Sequence, residues 1–282
     1  MGVDFEQERE LWNKNAQKEE DWLSTPSINR TLRWREIERN LEGVKKILDV
    51  GAATGAFSIP LARLGFSVTH LDFSPAMLEI ARKKADGLKT IRFIEGNAID
   101  LSQFEDGSFD LVLNMDGPIS SSGAESERII VESCRVAKKR LILTVAHRAW
   151  MFPVWIATSL KAAGQILPAV YKMLEKGEWH PDDSADNHRL LGELSFLHFK
   201  AFLPEELREI LERAGMRVSR IGGIGSLANL CEGETLETIM KNELLLQQFL
   251  ELCELYDKEI LSDGPGTRND TGLLAIAERP PK

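Results

Sequence analysis

Asp49 closes the apolar run Ile47-Leu48-Asp49-Val50 and stands just before the small-residue turn Gly51-Ala52-Ala53-Thr54-Gly55. An acid in that place repels a pyrophosphate and attracts a ligand that carries an ammonium or a sulfonium. Gly51 and Gly55 remove the Cβ where a ligand must lie against the backbone, and the helix start beyond them offers unpaired N–H groups. Asp72 ends the next apolar run, about 20 residues on, a separation that suits a two-pronged grip on ribose hydroxyls. After a third run comes Gly96-Asn97-Ala98, and an asparagine there can read an adenine edge through its amide oxygen and NH₂. These residues predict an adenosine site with a cation-friendly end. His147, after a later run, is the first candidate for a general base, against the plainer role of a hydrogen-bonded structural histidine. His180, His188 and His198 rank below it. Asp116 could orient a substrate amine or hydroxyl, or merely shape the turn at Gly117-Pro118. Arg30, Arg33 and Arg35 could hold a carboxylate, although a solvated helix face is the simpler reading.

A regular alternation of elements must bring these groups together. Strands are predicted at about 46–50, 67–71, 91–94, 109–115, 141–145 and 216–221, with a last one at 272–277. Helices are predicted at about 54–64, from Pro75 behind the cap Ser74, at 124–137, and from Pro204 to Ala214, where Gly215 ends the helix. Such alternation implies an α/β fold with a parallel sheet, whose ligands gather at the carboxyl ends of the strands. Residues 5 to 42 read as two amphipathic helices divided by Pro26. With Trp12, Trp22 and Trp34 among their apolar residues, they are expected to fold onto the main domain as a helical N-terminal cap (1–43). Two insertions interrupt the alternation, one at 147–199 and one at 227–262. In the first, Trp150 to Trp155 is expected to lie over the pocket as an apolar lid, the alternatives being a dimer contact or plain core.

Composition narrows the classes. The chain has 282 residues, 43% hydrophobic and 28% charged, enough for one large domain with a sizeable core. A net charge of −9 argues against general nucleic-acid binding, which depends on cations that neutralise phosphates. Three cysteines, Cys134, Cys231 and Cys253, contain no CxxC pair, so no zinc knuckle or disulfide framework is expected and a reducing cytoplasm fits best. The opening residues lack an h-region and a myristoylation signal. The least charged run, 149–171, holds Pro153, Lys161, Gln165 and Pro168, so no stable membrane insertion is expected.

The stretches Leu48-Asp49-Val50-Gly51-Ala52-Ala53-Thr54-Gly55, Asp72-Phe73-Ser74-Pro75-Ala76-Met77-Leu78, Glu95-Gly96-Asn97-Ala98 and Phe109-Asp110-Leu111-Val112, with the helix before Gly215, carry a resemblance. Together they resemble the class I S-adenosylmethionine-dependent methyltransferases, in particular the small-molecule type of quinone biosynthesis, over roughly 44–146 and 200–278. The resemblance implies a Rossmann-like, seven-stranded, mostly parallel sheet with an antiparallel last strand. It also implies S-adenosylmethionine as cofactor, with the Gly51, Ala53 and Gly55 turn at the methionine part. Asp72 would face the ribose, Met77 would pack near the adenine and Asn97 would read its edge. Asp49, Phe73, Ala98 and Asn114 complete the implied cofactor contacts. Three departures stand out: Ala53 where the family often has glycine, Asn97 where many members have aspartate, and Leu203 in place of a Ser or Thr cap. Asn114-Met115-Asp116-Gly117-Pro118 is not the Asn-Pro-Pro-aromatic motif of enzymes that methylate DNA bases.

A cytoplasmic methyltransferase acting on a small molecule with an apolar part, and without a metal, is therefore expected. Because a sulfonium already activates its methyl group, the protein's share would be positioning, worth on the order of 7–11 kcal/mol. Two rivals stand. Gly51-x-Ala53-x-x-Ala56 is a degenerate dinucleotide turn, which would suit a nicotinamide-dependent oxidoreductase. A non-catalytic adenosyl-binding regulator would instead use the insertions to bind a protein and would leave an exposed apolar face on 227–262.

Overall fold

The computed structural model describes residues 4–115, 117–179, 198–259 and 272–280. Five parallel strands form the centre: β1 (Lys46–Val50), β2 (Ser67–Asp72), β3 (Ile91–Glu95), β4 (Phe109–Asn114) and β5 (Ala137–His147). Their spatial order is β3-β2-β1-β4-β5. On the outer edge of β5, residues 140–146 pair with β9 (Gly272–Glu278), which runs antiparallel and pairs in turn with β8 (Arg217–Gly223). Those seven strands make the expected mostly parallel sheet with an antiparallel last strand. Two short strands are additional. β7 (Phe199–Phe202) pairs with the last two residues of β5, and β6 (Glu178–Trp179) pairs with β7. The β-strand alternation of side chains sends Leu48 and Val50 to one face and Ile47 to the other, and each face builds its own apolar core.

The helices follow the signals in the sequence, with informative exceptions. Helix α1 (Phe5–Ser24) and helix α2 (Ile28–Arg39) flank Pro26. Helix α3 (Ser58–Arg63) starts four residues later than predicted. Gly51, Ala53 and Gly55 all have positive φ, at 65°, 47° and 90°, and a right-handed helix cannot begin until that alternation ends. Helix α4 (Pro75–Lys84) begins as expected, with Ser74 Oγ accepting the Met77 N–H at 3.2 Å. A 3₁₀ segment (Ser120–Glu125), kinked internally at Gly123 (φ 50°), precedes helix α5 (Ser126–Val136), where the sequence predicts one longer helix.

β5 is twice its predicted length: β9 pairs residues 140–146 and β7 pairs Ala146 and His147. The first insertion forms α6 (Arg148–Ala163) and α7 (Pro168–Lys176). Next comes α8 (Pro204–Arg213), which answers its missing cap: Glu206 reaches back to accept the Leu203 N–H at 3.1 Å. The second insertion comprises α9 (Ser226–Leu230), α10 (Gly233–Met240) and α11 (Glu243–Glu259). Asp257 of α11 is buried and accepts the Gly225 and Ser226 N–H groups at 2.6 and 3.1 Å, which ties the insertion to the end of β8.

Ala53 is the only described non-glycine residue with positive φ. The left-handed region costs an L-residue about 1–2 kcal/mol, while glycine's extra chain entropy costs about 0.5–1 kcal/mol. Ala53→Gly is therefore expected to stabilise the fold by up to about 1 kcal/mol, read as a higher urea midpoint at unchanged slope. A loss of midpoint would show that the methyl group of Ala53 packs where glycine cannot replace it.

Candidate active site

A crevice opens along the carboxyl ends of the first four strands and encloses about 700 Å³ between the protein atoms, its open mouth included. The turn after β1 supplies Gly51 and Ala53, and the end of β2 supplies Leu71, Asp72 and Phe73. Met77 comes from α4, Gly96, Asn97 and Ala98 come from the loop after β3, and Gly117, Pro118, Ser121 and Ser122 follow β4. Seven of the residues singled out from sequence meet here: Gly51, Ala53, Asp72, Phe73, Met77, Asn97 and Ala98.

Asp72 joins the parts. Its carboxylate accepts the Ala53 N–H at 2.8 Å and the Ser74 N–H at 2.9 Å, linking the turn after β1 to the start of α4. Burial pushes its pKa up to about 6, against the opposing pull of the Ser74, Ala53 and Phe73 N–H groups. Gly51 is required on two counts. Its φ is 65°, and a Cβ there would lie 1.9 Å from Pro118 Cγ. Asn97 Oδ1 accepts the Ile99 N–H at 3.1 Å, which leaves the NH₂ as the donor for a ligand edge. The set fits an adenosine: a carboxylate for vicinal hydroxyls, the apolar Leu71 and Met77 for a flat base, and a glycine turn for whatever lies beyond the ribose.

Other candidates stand elsewhere. Asp49 is buried at the end of β1, level with His70 of β2, and does not line the crevice. Gly55 serves its own turn, since a Cβ there would meet Ile59 Cδ1 at 2.5 Å. Asn114 is buried and donates from Nδ2 to Ser133 Oγ at 3.2 Å, away from the crevice wall. His147 caps α6, its Nδ1 accepting the Ala149 N–H at 3.1 Å, and its buried ring is outside the wall. Asp116, His180 and His188 lie outside the described residues. His198 is buried at the foot of β7 and donates its N–H to Glu8 Oε1 at 3.1 Å. Arg30 caps the end of α1, donating to the Leu23 and Thr25 carbonyls at 2.7 and 2.8 Å and stacking on Trp22. Arg35 meets Gln247 and Glu254 of α11, and Arg33 is buried, so none of the three arginines lines the crevice.

The Trp150–Trp155 segment also sits differently from the expected lid. Met151 and Trp155 are buried in a third apolar core with Met173, Trp179 and Phe199, and none of the residues 151–155 is in the crevice wall. The cover comes from α1, whose Phe5, Glu8, Trp12 and Glu19 line the crevice. Sequence reasoning treated α1 as a cap without assigning it site residues. The signal was present, since positions 5, 8, 12 and 19 fall on one helical face and two of them are acids.

Among the described residues no group of histidine, cysteine or acidic side chains is arranged to hold a metal. Cys134 and Cys253 are buried thiols whose pKa burial pushes up to about 12. They belong to cores on opposite faces of the sheet, so the three cysteines do not form a cluster. No described helix is long and apolar enough to cross a membrane.

The fold and the crevice are those of a nucleoside-binding α/β domain, and comparison with known proteins specifies it. Residues 47–140 match the family described as methyltransferase domain. The demethylmenaquinone methyltransferase of Tropheryma whipplei (strain Twist) is 37% identical over 108 residues, 37% of this chain and 44% of that protein. The chloroplastic magnesium protoporphyrin IX methyltransferase of Arabidopsis thaliana is 28% identical over 171 residues, 60% of this chain and 52% of that one. The chain spans half or less of the length of the first curated relatives it matches. Among solved structures, magnesium protoporphyrin IX methyltransferase from Synechocystis PCC 6803 with bound SAH superposes with a TM-score of 0.57. It is 17% identical and covers 98% of this chain and 100% of that one, a likeness of fold. Over residues 47–140 the chain thus matches a methyltransferase domain, and its fold is one shared with a solved methyltransferase.

Two buried histidines give a pH signature. Burial pushes the His70 pKa down to about 3 and that of His147 down to about 4, so both rings are neutral in the fold at pH 7. An unfolded histidine takes up a proton near pH 6.5, so the stability from these rings is full above that pH and is lost as pH falls from about 6.5 toward 4. Asp72, with its raised pKa, works in the opposite sense below pH 6. Urea midpoints are expected to drop between pH 6.5 and 4, and His70→Gln is expected to flatten that drop. An unchanged slope in the variant would show that His70 is not the titrating group.

Proposed function

We propose that the protein moves a methyl group from S-adenosylmethionine to a small-molecule acceptor with an apolar part. The observation that carries this reading is Asp72, a buried carboxylate at the end of β2. It lines one crevice together with the glycine turn, Met77 and the 96–98 loop, in a chain that matches the methyltransferase domain family. Bound there, the cofactor supplies a methyl already activated on a sulfonium, and the acceptor's lone pair takes it as the carbon–sulfur bond breaks.

The chain's own groups position and exclude. Asp72 holds the ribose hydroxyls, Leu71 and Met77 flank the adenine, the Asn97 NH₂ meets its edge, and Gly51 and Ala53 admit the methionine part. Helix α1 shuts water out. Relatives named for a demethylmenaquinone and for a magnesium protoporphyrin support a large, flat, apolar acceptor. His147 is neutral and so able to accept a proton, but a part in proton transfer requires α6 to move, because the ring is not in the crevice wall. His147→Ala decides this: a turnover-versus-pH profile unchanged from wild type removes His147 from the mechanism.

The nicotinamide reading is disfavoured by the match to a methyltransferase domain, while Asp72, which suits a ribose in either cofactor, does not separate the two. A second reading, a cofactor-binding regulator without turnover, draws on the leucines of α11, since Leu244, Leu252 and Leu255 are more than half exposed. Incubation with methyl-labelled S-adenosylmethionine and a pool of quinone and porphyrin acceptors separates the two. Labelled product is expected, with Asp72→Asn reducing turnover by at least about tenfold, in line with loss of a charge-assisted hydrogen bond. Cofactor binding with no labelled product would support the regulator. Because Asp72 titrates near pH 6, cofactor affinity is also expected to weaken as pH falls through about 6, and Asp72→Asn should abolish that dependence.

A further inference from the structure

Resting on the methyl-donor reading above, we infer that Ser121 and Ser122 select the methyl acceptor, as a pair of oxygens that can only accept. The ligand they fit is a flat ring bearing a hydrogen-bond donor, a hydroxyl or an amine. Both serines line the crevice. The Ser121 hydroxyl donates to the Gly117 carbonyl at 2.7 Å, and the Ser122 hydroxyl donates to the Pro118 carbonyl at 2.6 Å. Serines in a helical turn readily return their proton to the carbonyl four residues back. A carbonyl oxygen cannot donate, so the direction of both bonds is fixed and each hydroxyl has spent its one proton. The backbone N–H groups are spent too. That of Ser121 goes to the Gly117 carbonyl at 2.9 Å and that of Ser122 to the Ile119 carbonyl at 3.2 Å. Each serine therefore keeps only lone pairs on Oγ for a ligand. Such oxygens bind an O–H or an N–H and offer nothing to a carboxylate.

The pair stands on a braced segment. Ser120 Oγ accepts the Ala146 N–H at 2.8 Å, which ties the segment to the end of β5. The Ser126 hydroxyl shares its proton between the Ile119 and Gly123 carbonyls, each at 2.6 Å. Ser122 itself is buried. The two Oγ atoms are thus held in place before a ligand arrives, and little ordering opposes binding.

Position assigns the pair to the acceptor and not to the adenosine. Asp72, Met77 and Asn97 belong to the ends of β2 and β3, whereas the serines follow β4. Pro118, just ahead of them, closes on Gly51 in the turn that admits the methionine part. β7 packs against the Ser120–Glu125 segment, and His198, just before β7, gives its N–H to Glu8 Oε1 at 3.1 Å. The first turns of α1 therefore reach the same end of the crevice, where Phe5 and Trp12 join the wall. Aromatic faces and edges seat a flat ring, and the serine oxygens then decide which ring edge turns inward.

The test is titration of the full chain, saturated with S-adenosylhomocysteine, with naphthol, methoxynaphthalene, naphthalene and naphthoate. Of these probes only naphthol carries a donor at neutral pH. Wild type is expected to bind naphthol about fivefold more tightly than any of the others, as one or two new hydrogen bonds require. Ser121→Ala with Ser122→Ala is expected to bring naphthol to the level of naphthalene, with S-adenosylhomocysteine affinity changed by less than about twofold. Wild type that binds naphthol no better than its methyl ether, or a preference that survives in the alanine variant, would overturn the role of the serines and leave the methyl-donor reading standing. So would a matching loss of S-adenosylhomocysteine affinity, which would assign the pair to the cofactor's ammonium. Should the alanine variant fail to fold, the wild-type ranking of the probes decides by itself. Wild type that takes up no S-adenosylhomocysteine would overturn the methyl-donor reading.

Discussion

A carboxylate held out of water by three backbone N–H groups is the constraint from which the site is built. Asp72 can be charged in so buried a place only because Ala53, Ser74 and Phe73 turn their N–H groups toward it. For Ala53 to do so, the turn after β1 must run through left-handed conformations at 51, 53 and 55, and α3 must wait until Ser58. Pro118 can close on that turn only because Gly51 has no side chain. A single buried charge thereby dictates the conformation of two loops, and those loops outline the crevice.

The sheet makes this arrangement possible by bringing four strand ends level with each other. Asp110 contributes at the opposite edge, where its carboxylate accepts the Lys45 and Lys46 N–H groups at 2.9 and 3.1 Å and sets β4 against β1. Apolar cores on both faces hold the strands flat between helices, and a third core around Trp155 and Trp179 stands apart from the crevice. The chemistry expected of such a site needs little from acids and bases. It needs a dry, correctly shaped slot, and the N-terminal helix is the part that finishes it.

Where local rules decide the outcome, the sequence alone was sufficient. Ser74-Pro75 started a helix, the alternation of apolar runs produced the parallel sheet, and Asp72, Met77 and Asn97 came together because strand ends in such a sheet must converge. It was insufficient where distant partners decide. The aromatic run at 150–155 was read as a lid, yet Trp179 and Phe199 draw Trp155 into a core that no local pattern announces. The full length of β5 depends on β9, more than a hundred residues away, and the charges at 138–140 hid it. Glu8 and Glu19 of α1 were not singled out, because the seat of α1 depends on distant contacts such as that of Asn13 with the start of α4.

A crystal structure of the full chain grown with S-adenosylhomocysteine bears most directly on all of this. The ribose hydroxyls should be found within hydrogen-bonding distance of Asp72, with the adenine against Met77 and the sulfur facing the underside of α1. A crevice that stays empty of that ligand, or that takes the diphosphate of a nicotinamide dinucleotide against the 51–55 turn, would contradict the account.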